Sequence, residues 1–492
     1  MSQTRRTLLQ SGIGLAASAF LPIRALGAAK QAMLLGAKLK DDIAILRQAY
    51  TQMHPGLYRY ATPAQVNARL NALERDWSRD QTLASAYLSL SRFLATVKCG
   101  HTYANFYNQS DTVQKTLFAD IPRLPFLFRW IGGRIVITRN QSDNASLAPG
   151  TVLTRINGVT TQTILKRLIP LVRADGSNDD KRRALLDLRA EDEWETFDIF
   201  FNLLYPGITA YALDIVGLDG CASKADVGPI SLAKRRSAKR NSAQARADGS
   251  VWSIDYRQNG VAVLAMPDWA LYDSKWDWQA YINGCFAEIE SRKVKALVVD
   301  IRGNEGGLDC GNAIIARMLD TLLAVEAVER RVRYRQIPAE LKPYLDTWDP
   351  SFAKLGEGAE DLRNGFYRLD SGPANNIAPK GPRFKGRLIV LTDAQNSSAT
   401  FQFASIVKSY KLGTVIGAPT GGNRRGINGG SFYFLRLPNS GLEVDLPLTG
   451  FFRTTPQPDA GLVPDINIAL TADDIAVGRD PVLERSLIEA SS

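Results

Sequence analysis

Apolar residues recur at helical spacing in the first part of the chain. One such stretch runs from Asp41 to Tyr50, with two acidic residues in its first turn, and the pattern continues over 64–77 and 82–97. Apolar positions three and four residues apart are typical of helices that bury one face. We therefore predict a helical N-terminal domain over residues 35–109.

The pattern changes to alternation between residues 110 and 225. Segments such as 134–138 and 150–156 place apolar and polar residues at alternate positions, as half-buried strands do. The pair Asn157-Gly158 is a strong signal for a hairpin turn. Residues 110–225 are therefore predicted to form a second domain that is rich in strands.

Strands alternate with helices from residue 251 onward. Apolar strands are predicted at 260–266, 296–301, 387–392 and 413–417, with helices at 280–291, 311–322 and 399–410. Such alternation favours parallel strands joined by helices, so we predict an α/β domain over 251–475 and a C-terminal tail over 476–492. The basic, Ser/Ala-rich run within 226–250 has no apolar period and indicates a solvated linker.

Length and composition agree with this division. A chain of 492 residues predicts about three domains, and 45% apolar with 22% charged residues is typical of a soluble globular protein. The 60 Lys and Arg residues exceed the 50 Asp and Glu residues by ten. Apart from the linker run this excess is spread along the chain, and no nucleic-acid-binding motif accompanies it, so nucleic acid is not an expected partner.

The first residues have the features of an export signal, predicted over 1–29. Arg5-Arg6 precedes an apolar run at 12–21, and the small residues of Ala25-Leu26-Gly27 suit a cleavage site. The arginine pair resembles a twin-arginine signal, with a general secretory signal as the alternative. We expect a periplasmic or otherwise extracytoplasmic protein. The run is too short to span a bilayer, and no later stretch is long enough, so no integral membrane segment is expected.

Four cysteines are too few to form a disulfide framework in a chain of this length. Cys99, Cys221, Cys285 and Cys310 can form disulfides in an oxidising compartment, but the sequence does not define a pairing. Free buried thiols are the equal alternative.

Two strand–helix junctions of the α/β domain are the places where chemistry is expected, because ligands bind beyond the carboxyl ends of parallel strands. The first, 300–307, reads Asp-Ile-Arg-Gly-Asn-Glu-Gly-Gly, and its glycines can present N–H groups to an oxyanion or simply form a turn. The second, 393–400, contains Ser398, which is either a nucleophile or a helix N-cap.

Histidine chemistry has only two candidates, His54 and His101. They lie far apart, which excludes a His-rich metal site of the HExxH kind. His54 precedes a proline and resembles a turn residue, whereas His101 lies in the motif Cys-Gly-His-Thr at 99–102. Alone, that motif is equally compatible with a histidine of the core.

Taken together, these motifs resemble the S41 peptidases, the group of C-terminal processing (tail-specific) and tricorn-core proteases. The resemblance rests on an ordered set: the Cys-Gly-His-Thr motif, Leu-Val-Val-Asp-Ile-Arg-Gly-Asn-Glu-Gly-Gly at 297–307, Asn-Ser-Ser-Ala-Thr at 396–400, Gly-Ala-Pro-Thr-Gly-Gly at 417–422 and Gly-Leu-Val-Pro-Asp-Ile at 461–466. It implies an α+β multidomain fold, with a helical N-terminal domain, a PDZ-like domain over 110–225 and a ClpP/crotonase-like α/β catalytic core.

The resemblance also implies roles for individual residues. Ser398 matches the nucleophile, and the N–H groups of Ala399 and of Gly306 or Gly307 match the oxyanion donors. Tail-specific members use a lysine as base, but the equivalent position here is Asn423.

Tricorn-like members use a histidine instead, so the resemblance points to His101 as the general base and implies a variant without the catalytic lysine. His101→Ala should then abolish activity, whereas His54→Ala should not. Asp459 is the candidate acid that orients His101, with Gln457 as a neutral alternative. Arg424 and Arg425 are candidates for binding a substrate carboxylate, or are exposed loop charges.

The function that follows is an exported serine peptidase that hydrolyses peptide bonds of peptides or proteins. Two alternatives stay open: a non-catalytic peptide-binding scaffold on the same fold, and a crotonase-like acyl hydrolase. Neither a cofactor nor a metal ion is implied. A homo-oligomer is compatible with the sequence, which does not define the oligomeric state.

Overall fold

The structure is a computed structural model that describes residues 33–237, 250–369 and 376–491. The predicted export signal at 1–29 lies outside these ranges. No helix within them is both long and apolar enough to cross a membrane. All four cysteines lie within them, and each is a free thiol, with Cys221 exposed and the other three buried.

Thirteen α-helices are assigned in the described ranges. In chain order they are α1 (Gly36–Met53), α2 (Pro63–Trp77), α3 (Leu83–Ala95), α4 (Asp111–Leu117), α5 (Thr161–Leu168), α6 (Asp179–Ala184), α7 (Thr196–Leu204), α8 (Leu232–Arg236), α9 (Trp278–Ser291), α10 (Cys310–Ile315), α11 (Ser398–Ser409), α12 (Ala472–Val477) and α13 (Pro481–Ser491).

The same ranges contain twenty strands. They are β1 (Met33–Leu34), β2 (Gln81–Thr82), β3 (Phe126–Ile131), β4 (Arg134–Asn140), β5 (Val152–Ile156), β6 (Val159–Thr160), β7 (Tyr211–Val216), β8 (Ala222–Val227), β9 (Ser253–Arg257), β10 (Val261–Ala265), β11 (Ala296–Asp300), β12 (Val328–Val332), β13 (Leu345–Asp346), β14 (Glu360–Asp361), β15 (Tyr367–Arg368), β16 (Arg387–Thr392), β17 (Thr414–Gly417), β18 (Asn428–Arg436), β19 (Glu443–Arg453) and β20 (Ile466–Asn467).

The sheet that carries both predicted junctions has the strand order β20-β17-β16-β11-β10-β9. Every neighbouring pair is parallel except β10 and β9. Helices α9, α10 and α11 cover one face, and α13 covers the other. Burial on both faces explains why β10, β11 and β16 are nearly continuous apolar runs. The alternation of strands and helices predicted this arrangement correctly.

A second sheet, with the order β13-β18-β19-β12-β15-β14, is antiparallel. The sequence pattern placed its long central hairpin, β18 with β19, inside the predicted α/β domain and did not indicate a separate sheet. The register shifts at a bulge between Gly429 and Phe432. Side chains of the hairpin, among them Tyr433, Leu435 and Leu446, belong to the same apolar core as helices α1 to α3.

The third sheet has the order β3-β4-β5-β7-β8, and β6 pairs with β5. Helices α5 and α7 accompany it. The predicted hairpin at Asn157-Gly158 is present, since both residues have positive φ and Ile156 pairs with Val159. The core of this sheet is continuous with that of the N-terminal helices, so residues 35–225 share one apolar core.

Two segments are more ordered than the sequence pattern indicated. Part of the predicted linker forms α8, where Arg235 is buried and bonds to Glu195 and Asp198 at 3.0 and 2.9 Å. Part of the predicted tail forms α13, whose Val482 and Ala490 pack on the parallel sheet. In both segments the residues are buried by contacts with distant parts of the chain, which the local sequence pattern does not show.

Candidate active site

The two predicted junctions meet at the carboxyl edge of the parallel sheet. Asn396 donates to the carbonyl of Asn304 at 3.0 Å and also bonds to the carbonyl of Ile301. Thr400, which is fully buried, donates to the carbonyl of Asn304 at 2.9 Å. Parallel strands place their ends at one edge, so residues almost a hundred positions apart form one connected loop pair.

Ser398 is the first residue of α11 and has a φ of +52°. The left-handed region is unfavourable for a side chain such as serine, and such conformations concentrate at functional sites. The alternative that Ser398 is an N-cap is wrong, because Ser397 holds that position and its side chain makes no capping bond. A strained serine at a strand–helix turn is the arrangement of a nucleophile elbow.

The backbone of Gly306, in the first junction, lies close against the loop of Ser398. A methyl group on Gly306 would lie 2.9 Å from both the Cβ of Ser398 and the nitrogen of Ala399. Gly307 instead packs against the backbone of Trp269, where a methyl group would lie 2.1 Å from its carbonyl oxygen. The N–H of Gly306 already donates to the side chain of Asn304 at 2.9 Å. Of the three predicted donors, the N–H of Gly306 is therefore already engaged by a side chain.

A buried lysine that the sequence analysis missed lies against the serine loop. The ammonium of Lys181 donates to Glu305 at 2.7 Å, to the carbonyl of Gln395 at 2.7 Å and to the hydroxyl of Ser397 at 3.3 Å. Burial lowers the pKa of Lys181, opposed by the Glu305 carboxylate.

Arg173 links this lysine to the histidine loop. It bonds to Glu305 at 3.0 Å and to the carbonyl of Gly100 at 2.9 Å, and it lies over the ring of Tyr103. Desolvation of Glu305 is outweighed by the charges of Arg173 and Lys181, so its pKa is held well below the ordinary value. One ion network thus ties the His101 loop to the Ser398 loop.

His101 is half-buried between the ring of Phe432, 5.8 Å away between centroids, and Gly429. Burial lowers the pKa of His101 from its ordinary value, the Asp175 carboxylate raises it, and Arg173 lowers it. The net direction is downward, so the ring stays neutral at neutral pH. A neutral imidazole is the form that can accept a proton.

Asp175 is the carboxylate that most strongly raises the pKa of His101. An Asp175 oxygen lies within 4.8 Å of a His101 ring nitrogen, and the buried Nδ1 of His101 has no hydrogen-bond partner in the structure. Asp175 is itself buried and accepts the N–H of Gly100 at 2.8 Å.

Asp459, the acid predicted from the sequence, has other partners. Its oxygens accept from the N–H and hydroxyl of Ser177 at 2.9 and 2.8 Å and from Asn423 at 2.8 Å. Burial opposes ionisation, but these bonds hold the pKa of Asp459 below its ordinary value. Asn423, at the position of the family lysine, also reaches the carbonyl of Asp175 at 3.4 Å. Asp459 therefore supports the loop that carries Asp175.

Arg424 and Arg425, the predicted substrate-binding residues, are both exposed. Arg424 donates to the side-chain oxygen of Gln457 at 3.0 Å, and Arg425 to its carbonyl at 3.2 Å. Gln457 is thus engaged away from His101. Whether the two arginines bind a substrate stays a prediction.

His54 is fully buried and bonds to the histidine motif. Its Nδ1 accepts the N–H of Gly56 at 3.1 Å, so Nε2 carries the proton and donates to Thr102 at 2.8 Å. Burial, followed by the charge of Arg59, lowers the pKa of His54 to about 3. It is a neutral structural residue that braces the loop of His101.

One group at this site has the residue types of a metal site: Cys99, His101 and Asp175 each place a ligand atom within 4.8 Å of the others. A metal would require the thiolate of Cys99, yet burial raises the pKa of this thiol to about 11. Asn428 donates to its sulfur at 3.3 Å. The geometry therefore fits a hydrogen-bonded thiol beside a His–Asp pair better than a metal centre.

The missed residues Arg173, Asp175 and Lys181 all lie between α5 and the end of α6. Their only signal in the sequence is a charged stretch, 173–183, that contains Gly176. This stretch lies inside residues 110–225, which were predicted to form a PDZ-like domain and not part of the active site. Nothing local indicates that this stretch enters the catalytic edge of a sheet formed more than a hundred residues later.

A serine with left-handed backbone at a strand–helix turn is an arrangement typical of serine-type hydrolases. Residues 260–468 match the sequence profile described as Peptidase family S41. This region therefore belongs to peptidase family S41, as the ordered motifs indicated.

Solved structures agree at the level of the fold. Mature CPAF complexed with lactacystin superimposes with a TM-score of 0.64 at 14% identity, covering 93% of this chain and 98% of that chain. Mature CPAF alone gives 0.61 at 15% identity, covering 90% and 94%. The photosystem II D1 C-terminal processing protease gives a TM-score of only 0.43 at 13% identity, covering 92% and 97%, and adds no support for the fold. No curated protein sequence matches the chain.

Proposed function

We propose that the protein is an exported serine peptidase that cleaves peptides or proteins. Ser398 attacks the scissile carbonyl, His101 accepts its proton and Asp175 orients the imidazole. The N–H groups of Ala399 and Gly307 receive the developing oxyanion. The observation that carries this proposal is the left-handed backbone of Ser398, packed closely against the backbone of Gly306.

Export is part of the proposal and rests on the sequence of residues 1–29. A PDZ-like role for residues 110–225 is supported by the five-stranded sheet with α5 and α7. Such a domain would hold a peptide end by adding it to a sheet edge as a strand. The segment 172–189 would then connect peptide capture with catalysis.

The neighbouring serine offers a sharp control for the nucleophile. Ser397 lies 3.3 Å from Lys181 and donates to the carbonyl of Glu305 at 3.1 Å, which makes it a buried structural hydroxyl in this proposal. A fluorophosphonate probe should label the wild type and Ser397→Ala but not Ser398→Ala. Equal labelling of wild type and Ser398→Ala would show the mechanism to be wrong, and loss of labelling only in Ser397→Ala would favour a Ser397–Lys181 pair.

The reaction class needs a second measurement. Casein and a mixed peptide library should be hydrolysed by the wild type and not by His101→Ala. Hydrolysis of acyl thioesters without hydrolysis of peptides would point to the acyl-hydrolase alternative. Peptide binding with no labelling and no turnover would point to a scaffold.

A further inference from the structure

Three aromatic side chains, exposed Trp348 and half-buried Phe432 and Phe434, form a cluster on the second sheet, here called the aromatic patch. The ring of Trp348 lies 5.8 Å from that of Phe432 and 5.7 Å from that of Phe434. Trp348 is 59% exposed, which is unusual for the largest apolar side chain.

The patch is held in place rather than left over from the core. Phe432 and Phe434 lie on one face of β18, whereas the alternating residues Ser431 and Tyr433 are buried on the other. The hydroxyl of Thr347, the residue before Trp348, donates to the carbonyl of Phe432 at 2.9 Å. Fixed aromatic rings that face solvent bind apolar groups at a low cost in side-chain entropy.

The patch is continuous with the candidate active site. The ring of Phe432 lies 5.8 Å from that of His101, and the bulge after Gly429 places that glycine against the same imidazole. Gly430, which is exposed, has no side chain to separate the two. An extended peptide that passes His101 therefore meets the aromatic rings next.

The proposed reaction determines which part of the bound peptide would lie near the aromatic patch. After His101 takes the proton of Ser398, it must donate a proton to the leaving nitrogen, so the departing part of the peptide lies on the histidine side. Resting on the proposed peptidase function, we propose that the aromatic patch is the subsite for a large apolar or aromatic side chain within two residues after the cleaved bond.

Cleavage of a proteome-derived peptide library, read by mass spectrometry, tests this. The wild type should cut before Phe, Tyr, Trp, Leu or Met about ten-fold more often than before Ala or Asp at these positions, the discrimination expected from burying such a side chain. Trp348→Ala should reduce the preference to about two-fold without changing the residues selected before the cut. Trp348→Phe should retain most of it.

Val477→Ala is the matched control, because Val477 is 75% exposed and lies on α12, away from the patch. It should keep the wild-type profile. A wild type that cleaves peptides with no apolar preference after the bond would overturn the subsite and leave the peptidase function intact.

If no cleavage is found, peptide binding tests the aromatic patch independently of the peptidase function. A fluorescein-labelled peptide library sorted by anisotropy on Ser398→Ala protein should retain peptides with large apolar residues, and the double variant with Trp348→Ala should lose them. Trp348-dependent binding without turnover would support the patch and contradict catalysis. Binding that does not depend on Trp348 would overturn the patch.

Discussion

Asp175 illustrates how one residue changes the mechanism expected at this site. The motif spacing pointed to Asp459, whose oxygens are instead occupied by Ser177 and Asn423. Asp175 lies within 4.8 Å of the ring nitrogen of His101 and is the largest influence that raises the pKa of that histidine. The two acids therefore have different positions: Asp459 bonds to the loop that carries Asp175, and Asp175 lies near the imidazole.

Asp175→Asn should lower kcat/KM by about 10²-fold or more, as loss of an orienting carboxylate does. The acidic limb of the pH profile should also move. A general base works when neutral, so the rate rises with pH through the His101 pKa. Burial places that midpoint below the ordinary 6.5, and removal of the Asp175 charge lowers it further. Asp459→Asn should leave the midpoint unchanged, and the reverse result would restore Asp459 as the orienting acid.

Gly306→Ala should abolish turnover while the protein stays folded. Its φ of +104° disfavours alanine, and the added methyl would lie 2.8 Å from the carbonyl oxygen of Ser397 and 2.9 Å from the Cβ of Ser398, so the serine loop would have to shift. Gly441→Ala is a matched control, because Gly441 has a φ of +70° and nothing within 4 Å of the added methyl. The positive φ should cost each variant about 1–2 kcal/mol in urea unfolding, and Gly306→Ala should cost more than Gly441→Ala because of its close contacts. Equal activity of the two variants would argue against this use of Gly306.

At the level of elements, the residue that precedes α13 bonds to the first junction, residues 300–307. Asp480, just before α13, bonds to both terminal nitrogens of Arg302 at 2.8 Å and accepts the N–H of Leu483 at 3.0 Å. Arg302 in turn bonds to Asp300 at the end of β11. A segment predicted to be a tail therefore braces the turn that supplies the oxyanion donors.

Asp480→Ala should destabilise the protein by about 1–3 kcal/mol, since it removes a bidentate ion pair and a helix cap together. Urea unfolding at neutral pH measures the change. The pair Asp320–Arg383 is exposed and lies in no cap, so Asp320→Ala should cost less than about 0.5 kcal/mol. A loss no larger than that of the control would mean that α13 does not brace the junction.

At the level of the whole molecule, the candidate site is assembled from three regions of the chain. His101 follows the N-terminal helices, Asp175 and Lys181 lie between α5 and α7, and Ser398 belongs to the parallel sheet. The hairpin of β18 and β19 also shares its core with the N-terminal helices. The segment that matches the S41 profile therefore lacks the general base and the orienting acid of the proposed mechanism.

A fragment of residues 251–491 should show no peptidase activity and no labelling by a fluorophosphonate probe. It lacks His101 and Asp175, and it exposes side chains such as Leu435 and Leu446 that are fully buried in the whole chain. Size-exclusion chromatography should show it to aggregate. Activity of this fragment would mean that the base lies within the α/β region.

The sequence by itself determined the parallel sheet, the helices before it, the serine elbow and the histidine motif. These features are local, because apolar period, turn residues and short motifs record what each segment buries and how it bends. Only the tertiary structure decided which carboxylate faces His101, that Lys181 lies beside Ser397, and that the patch at Trp348 adjoins the imidazole. Those pairs join residues 74 to more than 300 positions apart, or depend on a strand bulge, and apolar periodicity carries no information about such distances.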